Sequence, residues 1–181
     1  LVGSRTIWRD YMPDLSPASI RNEMADLESL GLIVQPHTSA GRIPTDAGYR
    51  YYVDQFMRTR ALTTKEQEIV NDRMKDVHQD VEEALHQTLR TLSSLLEYAS
   101  VVATLNNRTR VYSSGFSQML KQPEFSDLNY TRQVMGVMEQ EDLMAEMVRE
   151  YTTQKGVTIR IGHENSFKEV KHCSIVMSSY D

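Results

Sequence analysis

Three features of the sequence predict an α+β fold: proline and glycine crowd into the first 48 residues, a long run free of both follows, and short alternating apolar stretches appear in the last third. Pro13, Pro17, Pro36 and Pro44, with Gly3, Gly31, Gly41 and Gly48, mark a compact, turn-rich module, and neither residue type recurs until Gly115. A chain of 181 residues suffices for one ordinary domain or two small ones.

Within the first module, Ser4 is placed to cap a short helix over about residues 5–11, with Ile7 and Tyr11 one turn apart. Pro13 and Asp14 break it. Ser16-Pro17 is an N-cap followed by an N1 proline, and Ile20, Met24, Leu27 and Leu30 form one apolar stripe at helical period. Gly31 stops that helix. Leu32-Ile33-Val34 reads as a strand, residues 35–41 as a polar turn, and Arg42-Ile43 as its antiparallel return. Thr45 then caps a helix carrying Tyr49, Tyr52, Val53 and Phe56, with Tyr49 and Tyr52 expected to pack and Tyr51 to point outward.

Thr63 and Glu66 form a capping box, which predicts a long connecting helix to about residue 99. Its apolar line is Val70, Met74, Val77, Val81, Leu85, Leu89, Leu92 and Leu96, which is not a strict heptad and predicts only that one face is buried. A strand at 101–103 and helices near 115–120, 127–139 and 141–154 follow, with Gly156 ending the last. Residues 157–161 and 174–177 read as strands. So few strands predict an incomplete α+β domain, since an independent sheet usually needs three.

Composition narrows the function. Hydrophobic residues at 40% and charged residues at 25% describe a globular chain, and no apolar run approaches the length of a membrane span. Residues 1–20 lack the features of a signal peptide, and the single cysteine, Cys173, excludes an internal disulfide and fits a reducing cytoplasm. The net charge of −5 argues against a generally basic nucleic-acid binder. The charge is uneven, however. Residues 1–60 balance seven arginines against seven acids and contain no lysine, whereas the remainder carries the deficit. Arginine reads phosphate and guanine through paired hydrogen bonds.

Two short helices, a tight turn between them and a following hairpin make a winged helix-turn-helix pattern. Burial of Ile20, Met24 and Leu27 leaves Ala18, Ser19, Arg21 and Asn22 near the exposed start of the second helix. Arg21, Asn22 and Ser19 are therefore the base-reading candidates, although Glu23 and Asp26 share the helix. The turn contributes His37, Thr38, Ser39 and Arg42 as candidates for a backbone or minor-groove contact, and Arg50 is a phosphate candidate.

The wording of these segments resembles a known family. Val2-Gly3-Ser4-Arg5-Thr6, Leu15 to Glu28, Gln35 to Thr45 and Gly48 to Asp54 are strongly similar to the HrcA family of heat-inducible transcription repressors; Gln122 to Phe125 and Ile161 to Asn165 resemble it more loosely. The resemblance implies a cytoplasmic homodimer that represses heat-shock (chaperone) operons by binding an inverted-repeat operator in double-stranded DNA, and that the chaperonin GroEL assists into its active form. It implies a winged-helix domain over 1–60 and a GAF-like α+β domain over 61–181. The family's helix ahead of Val2 is absent from the sequence. Only Leu105 to Arg110 stand where the family carries further strands and its dimerising insert, near 104–111, and Asp181 falls short of the family's last elements. The GAF-like domain is accordingly expected to be reduced.

Other chemistries are weaker. His78, Glu82 and His86 make an i, i+4, i+8 ladder without a fourth metal ligand. His172-Cys173 would point to opposite faces of a strand, so Cys173 is expected to be inert core, as are Met135, Met138, Met144 and Met147. The sequence thus predicts a repressor with no catalytic residues, metal site or cofactor. The competing reading is a protein-interaction or small-ligand-sensing module without operator binding.

Overall fold

The computed structural model describes residues 1–38, 40–75, 80–104, 110–151 and 156–180, with Glu124 described by its backbone alone. The chain is α+β and divides into two compact units: Leu1–Thr59 with Ile161–Glu164, and Arg60–Arg160 with Asn165–Asp181.

The first unit opens with α1 (Ser4–Asp10) and α2 (Pro17–Ser29), which pack together. Gly3, not Ser4, caps α1: Gly3 is extended, and its carbonyl accepts from the amides of Thr6 and Ile7 at 3.0 and 3.1 Å. The Ser16 hydroxyl caps α2 by accepting from the Ser19 amide at 3.0 Å, and Pro17 occupies the first turn. Ile20 and Met24 are buried, but Leu27 and Leu30 are exposed, so only the first half of the predicted stripe is core. Gly31 ends the helix at φ +73°. Strands β1 (Ile33–Val34) and β2 (Ile43–Pro44) pair antiparallel, with Val34 opposite Ile43. Val2 adds a bridge to Arg42 on the far edge, so closely that a Cβ on Gly41 would meet the Val2 backbone at 2.7 Å.

Helix α3 (Asp46–Gln55) is capped by the Thr45 hydroxyl, which accepts from the Gly48 amide at 3.0 Å and donates to the Gly31 carbonyl at 2.7 Å. The helix start lies against the backbone just ahead of β1. A Cβ on Gly48 would come within 2.0 Å of the Leu32 carbonyl oxygen. Tyr49, Tyr51 and Tyr52 are all exposed, which corrects the expectation that two of them pack. Tyr52 stacks on Phe56 instead.

The second unit corrects the single long helix. Helix α4 (Thr64–Met74) and helix α5 (Val81–Leu96) are separate and pack on each other, with the Arg73 guanidinium donating to the Arg90 carbonyl at 3.3 Å. Asp80 is extended and caps α5 by accepting from the Glu82 amide at 2.9 Å. Val77 and His78 of the predicted helix lie outside the described residues. On α5 Leu89 is buried while Val81, Leu92 and Leu96 are exposed, so the apolar line is only partly covered.

Strands β3 (Ser100–Thr104) and β4 (Arg110–Ser114) form an antiparallel pair that α5 packs against. Helix α6 (Phe116–Met119) follows Gly115, and a 3₁₀ turn spans Pro123–Ser126. Helices α7 (Leu128–Met138, capped by Asp127) and α8 (Glu141–Tyr151) pack together, and α8 also meets β4. Gly156, at φ +95°, begins β5 (Gly156–Ile161) rather than ending a helix, and β5 pairs with β6 (Ser174–Ser179). The core joins Val137, Met144, Met147, Tyr151 and Val170, with Val101, Val111, Ile175 and Met177 against it. Among the described residues each sheet is two-stranded. Apolar side chains from both sheets share this core with α7 and α8, which is how so few strands persist.

Two outcomes follow. Gly48→Ala is expected to destabilise the first unit by about 1–3 kcal/mol, because backbone must move. Gly136→Ala, in the last turn of α7 with open space around it, should be neutral or stabilising by up to about 1 kcal/mol. Urea denaturation of the two variants checks the contrast. The capping box gives a pH dependence. Glu66 accepts from both Arg60 Nη atoms and from the Thr63 amide and hydroxyl, and the Arg60 hydrogen bond, then those from Thr63, hold its carboxyl well below the usual carboxylate range. A folded-state pKa below the unfolded one stabilises fully above the ordinary Glu value and ceases to do so as pH falls through the folded-state value. The stability difference between the wild-type chain and Glu66→Gln should therefore shrink on titration from neutral pH into the acid range, measured by circular dichroism.

Candidate nucleic-acid interface

The first turns of α2 present the base-reading candidates. Ile20 and Met24 face inward, and one consequence of helical period is that Ala18, Ser19, Arg21 and Asn22 are exposed. Arg21 and Asn22 make no side-chain hydrogen bond or ion pair among the described residues. Ser19 is different: its hydroxyl lies 2.9 Å from that of Ser16, so it also serves the cap. The α2 N-terminus has no acid in its first turn, leaving its positive dipole end uncompensated.

The turn after β1 is built by two polar side chains. Gln35 donates from Nε2 to the carbonyls of Thr38 and Ala40, at 3.2 and 2.8 Å, and the Ala40 amide closes on the His37 carbonyl at 2.9 Å. Glu28, in the last turn of α2, accepts from the Gln35 amide at 3.2 Å and from Arg42 Nε at 2.9 Å. His37 and Thr38 are exposed at the turn, whereas Ser39 lies outside the described residues. Arg42 is turned inward to Glu28, its side chain only 18% exposed. It therefore supports the turn rather than projecting from it. No sequence signal marked Glu28 as its partner, since one lies on a helix and the other on the hairpin 14 residues further on.

Arg50 is also engaged. Its Nε and Nη2 donate to the two Glu164 carboxylate oxygens at 2.8 and 2.5 Å, and Nη1 donates to Asp54 at 3.2 Å. These bonds, Glu164 first, raise its pKa above the ordinary arginine value against the effect of burial. Glu164 falls in the Ile161–Asn165 run that carries the family resemblance, but nothing in the sequence pairs it with Arg50, or Asp46 with the His163 amide that donates to it at 2.8 Å; no local pattern links positions so far apart.

The weaker candidates disperse. His78 lies outside the described residues; Glu82 accepts from Arg110 and Tyr112 at 3.1 and 2.9 Å, and the His86 ring sits on Tyr112. No group of His, Cys, Asp and Glu among the described residues could hold a metal ion. Cys173 sits in the turn before β6, half-buried, 3.0 Å from the Tyr130 hydroxyl. No helix among the described residues is long and apolar enough to cross a membrane.

Comparison with known proteins adds what geometry does not. Residues 52–181 match the family model described as the HrcA protein C terminal domain. The chain belongs to the HrcA family. It is 30% identical to the heat-inducible transcription repressor HrcA of Moorella thermoacetica, over 278 aligned positions that cover 99% of this chain and 80% of that protein. The HrcA of Pelotomaculum thermopropionicum is 28% identical over 277 positions with the same coverage. That of Carboxydothermus hydrogenoformans is 50% identical over 101 residues, 56% of this chain and 30% of its own. The alignments are far longer than the chain's 181 residues, so these HrcA relatives carry extra sequence within the matched span. A crystal structure titled as a hypothetical protein matches the fold with a TM-score of 0.67 and 19% identity, covering 99% of this chain and 80% of that one. The HrcA relatives are named as repressors, which places the family in transcription regulation and the heat-stress response rather than among enzymes.

The Glu28 tie yields a third outcome. Glu28→Ala removes the acceptor of both Gln35 and Arg42 and should cost about 1 kcal/mol. It should also speed tryptic cleavage after Arg42 several-fold, read by mass spectrometry of timed digests.

Proposed function

We propose that this chain is a heat-inducible transcription repressor that binds duplex DNA through its N-terminal unit, used as a winged helix-turn-helix. The observation that carries the reading is the exposed start of α2, where Arg21 and Asn22 make no side-chain hydrogen bond or ion pair among the described residues and stand beside small residues, on the face opposite Ile20 and Met24. In this reading α2 enters the major groove, with Arg21 on guanine, Asn22 on adenine and Ser19 at the helix start. His37, Thr38 and Ser39 approach the backbone or minor groove from the turn, Arg42 holds that turn through Glu28, and Arg50 is the phosphate anchor. A single module of this size buries a small interface, about 600–1,000 Å², so tight binding needs two copies on an inverted repeat ahead of chaperone operons. The second unit is read as a reduced GAF-like domain, and the chaperonin GroEL as the partner that assists the repressor into its active form. The location that fits is the cytoplasm, and the function needs no catalytic group or cofactor.

One observation favours the competing reading, a protein-interaction module. Trp8, Tyr11, Leu30, Tyr49, Tyr52 and Phe56 of the first unit are exposed. Salt-dependent binding to duplex DNA separates the two. With an operator found by selection from a random duplex pool, Arg21→Ala should weaken specific binding by about 1–3 kcal/mol and random-sequence binding less. Equal loss on both would make Arg21 a phosphate anchor, and no duplex binding by the wild-type chain would favour the protein-interaction module.

A further inference from the structure

The segment Ile161–Glu164 occupies Arg50 of α3, the proposed phosphate anchor. Asp46 and Arg50 stand four residues apart on one face of the helix, with opposite charges. Two adjacent residues meet them. The Asp46 carboxylate accepts from the His163 amide at 2.8 Å and lies 2.6 Å from His163 Nδ1, and Glu164 takes the Arg50 fork through both oxygens. Glu164 is itself oriented, since its Oε2 also accepts from the Ile161 amide at 2.9 Å. Between them Gly162 sits at φ +52°, where a Cβ would fall 2.2 Å from an Asp46 carboxylate oxygen. A side chain here would push the Asp46 carboxylate aside, and the left-handed φ itself favours glycine.

A carboxylate gripped through two oxygens by one guanidinium reproduces how arginine grips a phosphate. Glu164 uses Nε and Nη2, the edge that a phosphate would use, and Asp54 takes Nη1. With two carboxylates around one guanidinium the locality is net negative, so an approaching phosphate is repelled as well as excluded. Resting on the DNA-binding reading above, we propose that Glu164 is an autoinhibitory phosphate substitute: the Ile161–Glu164 segment must leave α3 before Arg50 engages DNA. The exchange replaces one charge-assisted pair by another, so DNA itself shifts the balance. The contact is then a brake on binding, set by a segment far along the chain from the helix it restrains.

The test is fluorescence anisotropy of a labelled random-sequence duplex titrated with the full chain across a salt series. Glu164→Gln and, separately, Gly162→Ala are expected to bind about three- to tenfold tighter than wild type at low salt, with a salt slope steeper by about one phosphate contact. Glu68→Gln, which removes an exposed acid of α4, measures the general effect of one lost negative charge. Adding Arg50→Ala to either variant should abolish the gain. A gain no larger than that of Glu68→Gln, a gain that survives Arg50→Ala, or weaker binding by both variants overturns the autoinhibition while duplex binding by the wild-type chain leaves the DNA-binding reading standing. Absence of duplex binding by the wild type and every variant overturns both.

Discussion

The candidate interface depends on one carboxylate. Glu28 lies near the end of the helix that presents Arg21 and Asn22, and it holds the hairpin turn by accepting from the Gln35 amide and Arg42 Nε together. Half-buried charge-assisted bonds of this kind are stronger than exposed ion pairs because water competes less for the donors. Through Gln35 the same tie shapes the turn that carries His37 and Thr38, and through Arg42 it fixes the strand edge that Val2 bridges. An unlocked Glu28 would leave helix and turn to move separately, and a surface that must match a groove at several points at once would lose its geometry.

The second unit solves a different problem. Its strands come in pairs, and a pair of strands alone is not stable in water. Tyr151 and its neighbours on α7 and α8 supply the apolar cover. Tyr151 is buried, its hydroxyl accepts from the Ser166 amide at 3.0 Å, and the Arg160 guanidinium lies over its ring. One side chain therefore links the last turn of α8 to β5 and to the loop before β6. The apolar residues left exposed on α5, Val81, Leu92 and Leu96, mark where that cover ends.

Much of this was legible in the sequence where the cause is local. The Ser16-Pro17 start, the Gly31 stop, the β1–β2 return and the Thr63–Glu66 box each arise within one short stretch of chain. The break between α4 and α5 was missed because neither proline nor glycine marks it; Asp80 ahead of Glu82 and Glu83 was the available sign. The end of α5 escaped for the same reason, with Glu97 rather than glycine in the left-handed region. Strand β4 is short and alternates weakly, and only its pairing with β3 distinguishes it. For the site, exposure of Arg21 and Asn22 followed from helical period, but the commitments of Arg42 to Glu28 and Arg50 to Glu164 are tertiary and left no local trace.

The central claim is that the start of α2 and the following turn form one DNA-facing surface. Site-specific photo-crosslinking tests it most directly, with a benzophenone amino acid placed in turn at Asn22, at Thr38 and at Leu92, the last as an exposed position in the second unit. On a duplex that the chain binds, the account predicts crosslinks to bases from Asn22, crosslinks to the backbone or minor groove from Thr38, and none from Leu92. Crosslinks from Leu92 with none from Asn22 and Thr38 would contradict it.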